Sequence, residues 1–98
     1  MKLNDLLLSK SIDRVFVFQS LSRFNDTHIK YIKHELNNCF FSNWYSHSDK
    51  ISPKLLLLHH HFIIISACMP NISGCAIDAL THKMKEIESN LGFSLFNR

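Results

Sequence analysis

The chain is predicted to fold as a single small α+β domain spanning residues 1–98: three mainly antiparallel strands with two helices on one face. Three observations carry that prediction. Arg14-Val15-Phe16-Val17-Phe18-Gln19 is a β-branched and aromatic run of strand length. The stretch from Leu55 to Ile65 is almost wholly apolar and is interrupted only by His59-His60-His61. Two further segments repeat apolar residues at three- or four-residue steps, which marks helices with one buried side.

The elements follow in order. After the first strand, Asn25-Asp26-Thr27 supplies side-chain oxygens able to accept the first free amide protons of a helix. Ile29, Ile32, Leu36, Phe40 and Trp44 then form an apolar stripe, with Lys30, Lys33, His34 and Asn37 between them. Ser46 to Pro53 is polar and ends in proline, so a loop is expected there. The apolar run that follows is expected to be a hairpin with arms Leu55–Leu58 and Phe62–Ser66 and exposed histidines at its tip. Met69-Pro70-Asn71 should end the second arm. Ser73-Gly74 opens the second helix, with Ile77, Leu80, Met84, Ile87 and Leu91 as its stripe. Gly92 stands where a left-handed terminating residue belongs, and Phe93 is expected to fold back on the last turn.

Composition bounds the possibilities. The chain has 98 residues, 46% hydrophobic and 19% charged, with eight Phe, two Tyr and one Trp, enough for one globular core. The net charge of +3 is mild, and its lysines are interleaved with acids, which argues against a nucleic-acid arm or a polybasic membrane anchor. Cys39, Cys68 and Cys75 are odd in number and lack Cys-x-x-Cys spacing, so neither a disulfide framework nor a zinc ribbon is expected. The run from Leu55 to Ile65 falls short of the ~20 apolar residues of a spanning helix. The N-terminal Leu6-Leu7-Leu8 is too short and too polar in context for a secretory signal. A reduced, cytoplasmic protein is the expectation.

Two resemblances arise from particular residues. Ala79-Leu80-Thr81, Met84, Ile87-Glu88, Leu91-Gly92, Leu95-Phe96 and Arg98 resemble the end of the DNA-binding helix of LysR-type regulators. Such a helix-turn-helix needs a preceding pair of helices. Here that territory holds strand-favouring Phe62-Ile63-Ile64-Ile65 and Pro70. A DNA-binding regulator is therefore the alternative expectation.

The second resemblance covers more of the chain. Its landmarks are Phe16-Val17-Phe18-Gln19-Ser20, Asn43-Trp44-Tyr45-Ser46-His47, His61-Phe62-Ile63-Ile64, Ser73-Gly74-Cys75-Ala76-Ile77-Asp78 and Leu91-Gly92-Phe93-Ser94-Leu95-Phe96-Asn97-Arg98. Together they resemble a family of small bacterial proteins labelled "ABC transporter ATPase". Ser73-Gly74-Cys75-x-Ile77-Asp78 is its most specific element. His61 stands where the family usually has arginine, and Ala67-Cys68 where it tends to be acidic. Family members continue past the Leu-Phe-Asn-Arg element, so a shortened member is expected. The label does not fit the residues. An ATPase of that class needs a glycine-rich loop ending in Gly-Lys-Ser/Thr to cradle phosphates. The two glycines, Gly74 and Gly92, are not followed by lysine. A binding or interaction module of unassigned chemistry is the expectation, without a cofactor, meeting another protein through an open sheet face or edge.

Candidate contact residues are Ser73, Gly74, Cys75, Asp78 and His47. Cys75 falls in the first helical turn, where free amides and the helix dipole favour an anion. With His47 or His82 as base, a thiol-dependent enzyme is a further alternative. The same residue types also suit capping, with Ser73 as cap and Asp78 favoured in the first turn. No metal site is expected. No helix repeats histidine at i, i+4, and no carboxylate pair flanks the histidine run.

Overall fold

A computed structural model describes residues 14–67 and 72–96. Met69-Pro70-Asn71, expected to break a strand, lies outside the described residues, as do the N-terminal leucines and Cys68. The element order is β1 (Arg14–Gln19), α1 (Asp26–Lys33), a π-helical segment (His34–Phe40), a 3-10 turn (Phe41–Asn43), β2 (Tyr45–Ser46), β3 (Asp49–Lys50), β4 (Pro53–Leu58), β5 (Phe62–Ala67) and α2 (Gly74–Leu91).

The main sheet is antiparallel in the order β1-β5-β4. Its central strand aligns Phe16 with Ile65 and Leu55, and Phe18 with Ile63 and Leu57. These residues form one face, which packs on Ile32 and Leu36 from the first helical region and on Ala76, Leu80, Met84 and Ile87 from α2. The second face carries Val15, Leu56, Leu58, Phe62 and Ile64, with Val17 52% exposed. Ser66, in the middle of that face, is fully buried, and its hydroxyl has no hydrogen-bond partner. This is the expected α+β sandwich with both helices on one face, plus a small second sheet.

That second sheet corrects the expectation of a plain loop over 46–53. Tyr45 pairs with Lys50 and Ser46 with Asp49, leaving His47 and Ser48 as a two-residue turn. Ser46 and Ile51 are buried, so polar sequence here does not mean a solvated loop. Pro53 begins β4 instead of ending the loop. Proline is tolerated there because β4 is an edge strand and Pro53 is its first residue.

The hairpin between β4 and β5 turns at the predicted histidines. His59 and His60 both have positive φ (53° and 59°), as a type I′ hairpin turn requires. The tip is not wholly free, which corrects the expectation of three exposed histidines. His61 is half-buried, with its Nδ1 2.9 Å from the Ser20 carbonyl, and its own carbonyl accepts the Ser20 amide at 2.8 Å. The Phe24 amide donates to the His60 carbonyl at 2.7 Å. These bonds fasten the turn to the chain between β1 and α1.

Asn25 caps α1 as expected. Its Oδ1 accepts the His28 amide at 2.8 Å, and His28 Nδ1 accepts the Asn25 amide in return. This is a capping box with histidine in place of the usual Glu or Gln. The apolar stripe, however, does not continue as α-helix to Trp44. From His34 the backbone bonds i→i+5, with the Phe41 amide donating to the Leu36 carbonyl, and Trp44 is extended. The buried residues are Ile32, Leu36 and Phe41, with Phe40 only half-buried. An α-helix places a residue five positions on about 140° round its axis. Burying both Leu36 and Phe41 therefore requires the wider turn.

Ser73 caps α2, its Oγ accepting the Ala76 amide at 3.1 Å, and Gly92 ends it with φ 84°. Phe93 does not simply fold onto the last turn. It stacks on Phe24 at 6.0 Å and meets His28 edge-on, tying the end of α2 to the start of α1. Beyond it, the Leu95 carbonyl accepts the Gln19 amide at 3.1 Å. Among the described residues no helix is long and apolar enough to cross a membrane.

Candidate functional site

Two landmark blocks, distant in sequence, meet in space. Trp44 is buried against Phe40, Phe41 and Phe16, and its indole N–H donates to the Ala76 carbonyl at 2.9 Å. Two residues on, the buried hydroxyl of Ser46 accepts the Ser73 amide at 2.9 Å. These bonds join positions 32 and 27 residues apart and hold the β2–β3 ribbon against the first turn of α2. An aromatic anchor with a single polar handle is well suited to such a joint, because it buries area while its own N–H finds a backbone acceptor.

The joint leaves a cleft of about 400 Å³. Asn43, Tyr45 and His47 line one side, and Ser73, Cys75 and Ala79 the other, with Trp44 and Ala76 as floor. Three of the five candidate residues, His47, Ser73 and Cys75, are therefore brought together. Gly74 and Asp78 are exposed and do not line the cleft. Asp78 is the fifth helical residue, so the expectation that it serves the first turn is corrected; that turn contains no acid. His82 lies two turns along α2, away from the cleft, and is not a base for Cys75. Tyr45, 45% exposed, belongs to the lining although the sequence singled it out only as part of a landmark block.

The backbone at His47 is unusual. Its φ is 57°, a left-handed conformation at the first central position of the two-residue turn, where glycine is the favoured residue. A non-glycine residue there costs roughly 1–2 kcal/mol, although histidine is among the residues that visit this region more often. Gly74 presents the opposite case. Its backbone is ordinary, and a Cβ at that position would meet nothing within 4 Å. The fold does not require a glycine at this position.

A second cluster lies on the opposite helical region. Among the described residues one group offers donors suited to a metal ion: His34, Glu35 and Cys39, with ligand atoms all within 4.8 Å of one another. No helical spacing rule would have found it, since His34 and Cys39 are five residues apart and adjoin only through the π-helical turn. Glu35 also accepts from Lys83 of α2 at 2.7 Å, and Lys83 bonds Glu86 at 2.8 Å. Burial works against the charge on Lys83, but the hydrogen bonds to Glu35 and Glu86 and their negative charges outweigh it. The ammonium is held above the ordinary lysine range. A raised amine pKa favours the folded state below the unfolded value of about 10.4 and ceases to do so only in more alkaline solution.

No known protein family, characterised protein or solved structure matches this chain.

Proposed function

We propose that this chain is a protein-binding module, and that the cleft between the β2–β3 ribbon and the start of α2 takes a side chain or short segment of its partner. The observation that carries this reading is the pre-assembled joint. Trp44 and Ser46 fix the two walls before any ligand arrives, so little ordering is left to oppose binding. The walls are mostly apolar, with Tyr45, His47 and Ser73 at hand for orientation, the usual make-up of a small recognition site. The strain retained at His47 supports the same reading, since unfavoured backbone persists where a particular side chain is needed. The resemblance to the family labelled as transporter ATPases belongs to this proposal, and ATP hydrolysis does not, because the sequence has no Gly-Lys-Ser/Thr element to cradle phosphates. Nor do residues 53–67 supply the helices of a DNA-binding helix-turn-helix; they are β4 and β5.

The test is affinity capture by the full chain with quantitative identification of what is retained. A partner retained by wild type and by Asp78→Asn, but lost with Ala79→Lys and with His47→Gly, is the expected result. The glycine variant should be as stable as wild type or up to about 1 kcal/mol more so, because turn strain is removed. Partners that ignore both cleft substitutions would refute the assignment.

One observation favours a second reading, a thiol-dependent enzyme: Cys75 and His47 line the same cleft. Iodoacetamide should then modify Cys75 faster than Cys39, which is also exposed, with His47→Ala abolishing the difference. Equal rates in wild type would eliminate this alternative.

A further inference from the structure

We propose that the π-helical segment His34–Phe40 builds a surface site for a thiophilic divalent cation, zinc foremost, with Cys39 Sγ, His34 Nε2 and a Glu35 carboxylate oxygen as protein ligands. The site is independent of the cleft and shares no residue with it.

The donor set is of the right kind. Thiolate, imidazole and carboxylate are the three protein ligands that zinc takes, and three of them with an open fourth position is the arrangement of an accessible site. Spacing agrees as well. Bonds of about 2.3 Å to sulfur and 2.0–2.1 Å to nitrogen, at a tetrahedral angle, place the two donors about 3.5 Å apart. Cys39 Sγ and His34 Nε2 are 3.8 Å apart, so an ion can be accommodated by small side-chain rotations. Glu35 joins them: each of the three residues offers one ligand atom within 4.8 Å of those of the other two.

The backbone is what creates this proximity. In an α-helix Cys39 would face about 140° away from His34. The i→i+5 turn stacks one over the other, and π-helical turns are frequent at functional sites.

The neighbours are compatible with an ion. Asn38 Nδ2 lies 3.3 Å from His34 Nδ1. With the amide turned over, its oxygen accepts from Nδ1–H and leaves the Nε2 lone pair facing the ion, the usual outer support of a metal-bound histidine. Lys83 competes for Glu35, but it keeps Glu86 as a partner if Glu35 turns toward the cation. His34 and Cys39 are exposed, so replacing either leaves the core intact.

Zinc chloride alone, titrated calorimetrically into the reduced full chain, tests the site, and cobalt(II) reports thiolate ligation by its charge-transfer absorption. One equivalent of zinc is expected to bind with a dissociation constant well below millimolar. His34→Gln and Cys39→Ser should each weaken it by at least about tenfold to a hundredfold, the range seen even for outer-shell losses. Cys39→Ser should also abolish the cobalt–thiolate band, while Cys75→Ser and His60→Gln leave both readouts unchanged. Circular dichroism confirms that the variants are folded. Zinc binding that survives Cys39→Ser and His34→Gln overturns the proposal. So does binding lost with Cys75→Ser or His60→Gln, or no binding below millimolar.

Discussion

The two helical regions cover the same face of the same sheet, yet they are built differently. Over α2, Ala76, Leu80, Met84 and Ile87 are buried at steps of four, four and three, and the helix is regular for all 18 residues. The region from Asp26 to Asn43 buries Ile32, Leu36 and Phe41 at steps of four and five and passes through α, π and 3-10 geometry in turn. A regular stripe lets one helix serve as support. An irregular one forces the backbone to adapt, and the adaptation places His34 beside Cys39 and aims Trp44 at α2. Chemistry-bearing groups gather on the irregular region and at its junction with the regular one.

The largest test of this contrast is at the junction. Trp44→Ala should destabilise the protein by about 3–5 kcal/mol, through lost aromatic packing and loss of the bond to the Ala76 carbonyl, as measured by denaturant unfolding. Met84→Ala, deep in the regular helix, is expected to cost about 2–5 kcal/mol. A milder effect from Trp44→Ala than from Met84→Ala would break the view that the junction is the more demanding point.

The two caps separate stability from binding. Asn25→Ala and Ser73→Ala should each cost about 1 kcal/mol. Only Ser73→Ala should also weaken partner retention, because Ser73 lines the cleft. Equal retention by both would show that the start of α2 is scaffold and nothing more.

The smallest effects concern the two glycines that bracket α2. Gly92→Ala should lower stability by about 1 kcal/mol, since it forces a side chain into left-handed backbone. Gly74→Ala should raise it by a few tenths of a kcal/mol, by restricting the unfolded chain at a position with open space. Opposite signs from one substitution at two ends of one helix are readily read from melting curves.

Much of this fold was legible beforehand, for identifiable reasons. Gly92, Ser73 and Asn25 mark helix ends because their chemistry is local, and the three-histidine interruption marks a turn because nothing else in an apolar run is polar. The π-helical turn was not legible. Leu36, Phe40 and Trp44 fit a helical period as well as Leu36 and Phe41 fit the wider one, and only packing against the sheet decides between them. The β2–β3 ribbon was missed because Ser46 looks like a loop residue until it accepts the Ser73 amide. Of the candidate site, His47, Ser73 and Cys75 were identified as separate residues. Their meeting in one cleft depends on Trp44, whose reach to Ala76 is a tertiary fact. The metal-competent trio lay at spacings that carry no signal in one dimension.

The lone hydroxyl of Ser66 has a consequence for engineering. A buried donor without an acceptor, set in the central strand, is a standing penalty of about 1–3 kcal/mol that the rest of the molecule tolerates. Removing that one oxygen, as in Ser66→Ala, offers a route to a hardier scaffold on which variants of the cleft and of the histidine–cysteine turn can be compared without collapsing.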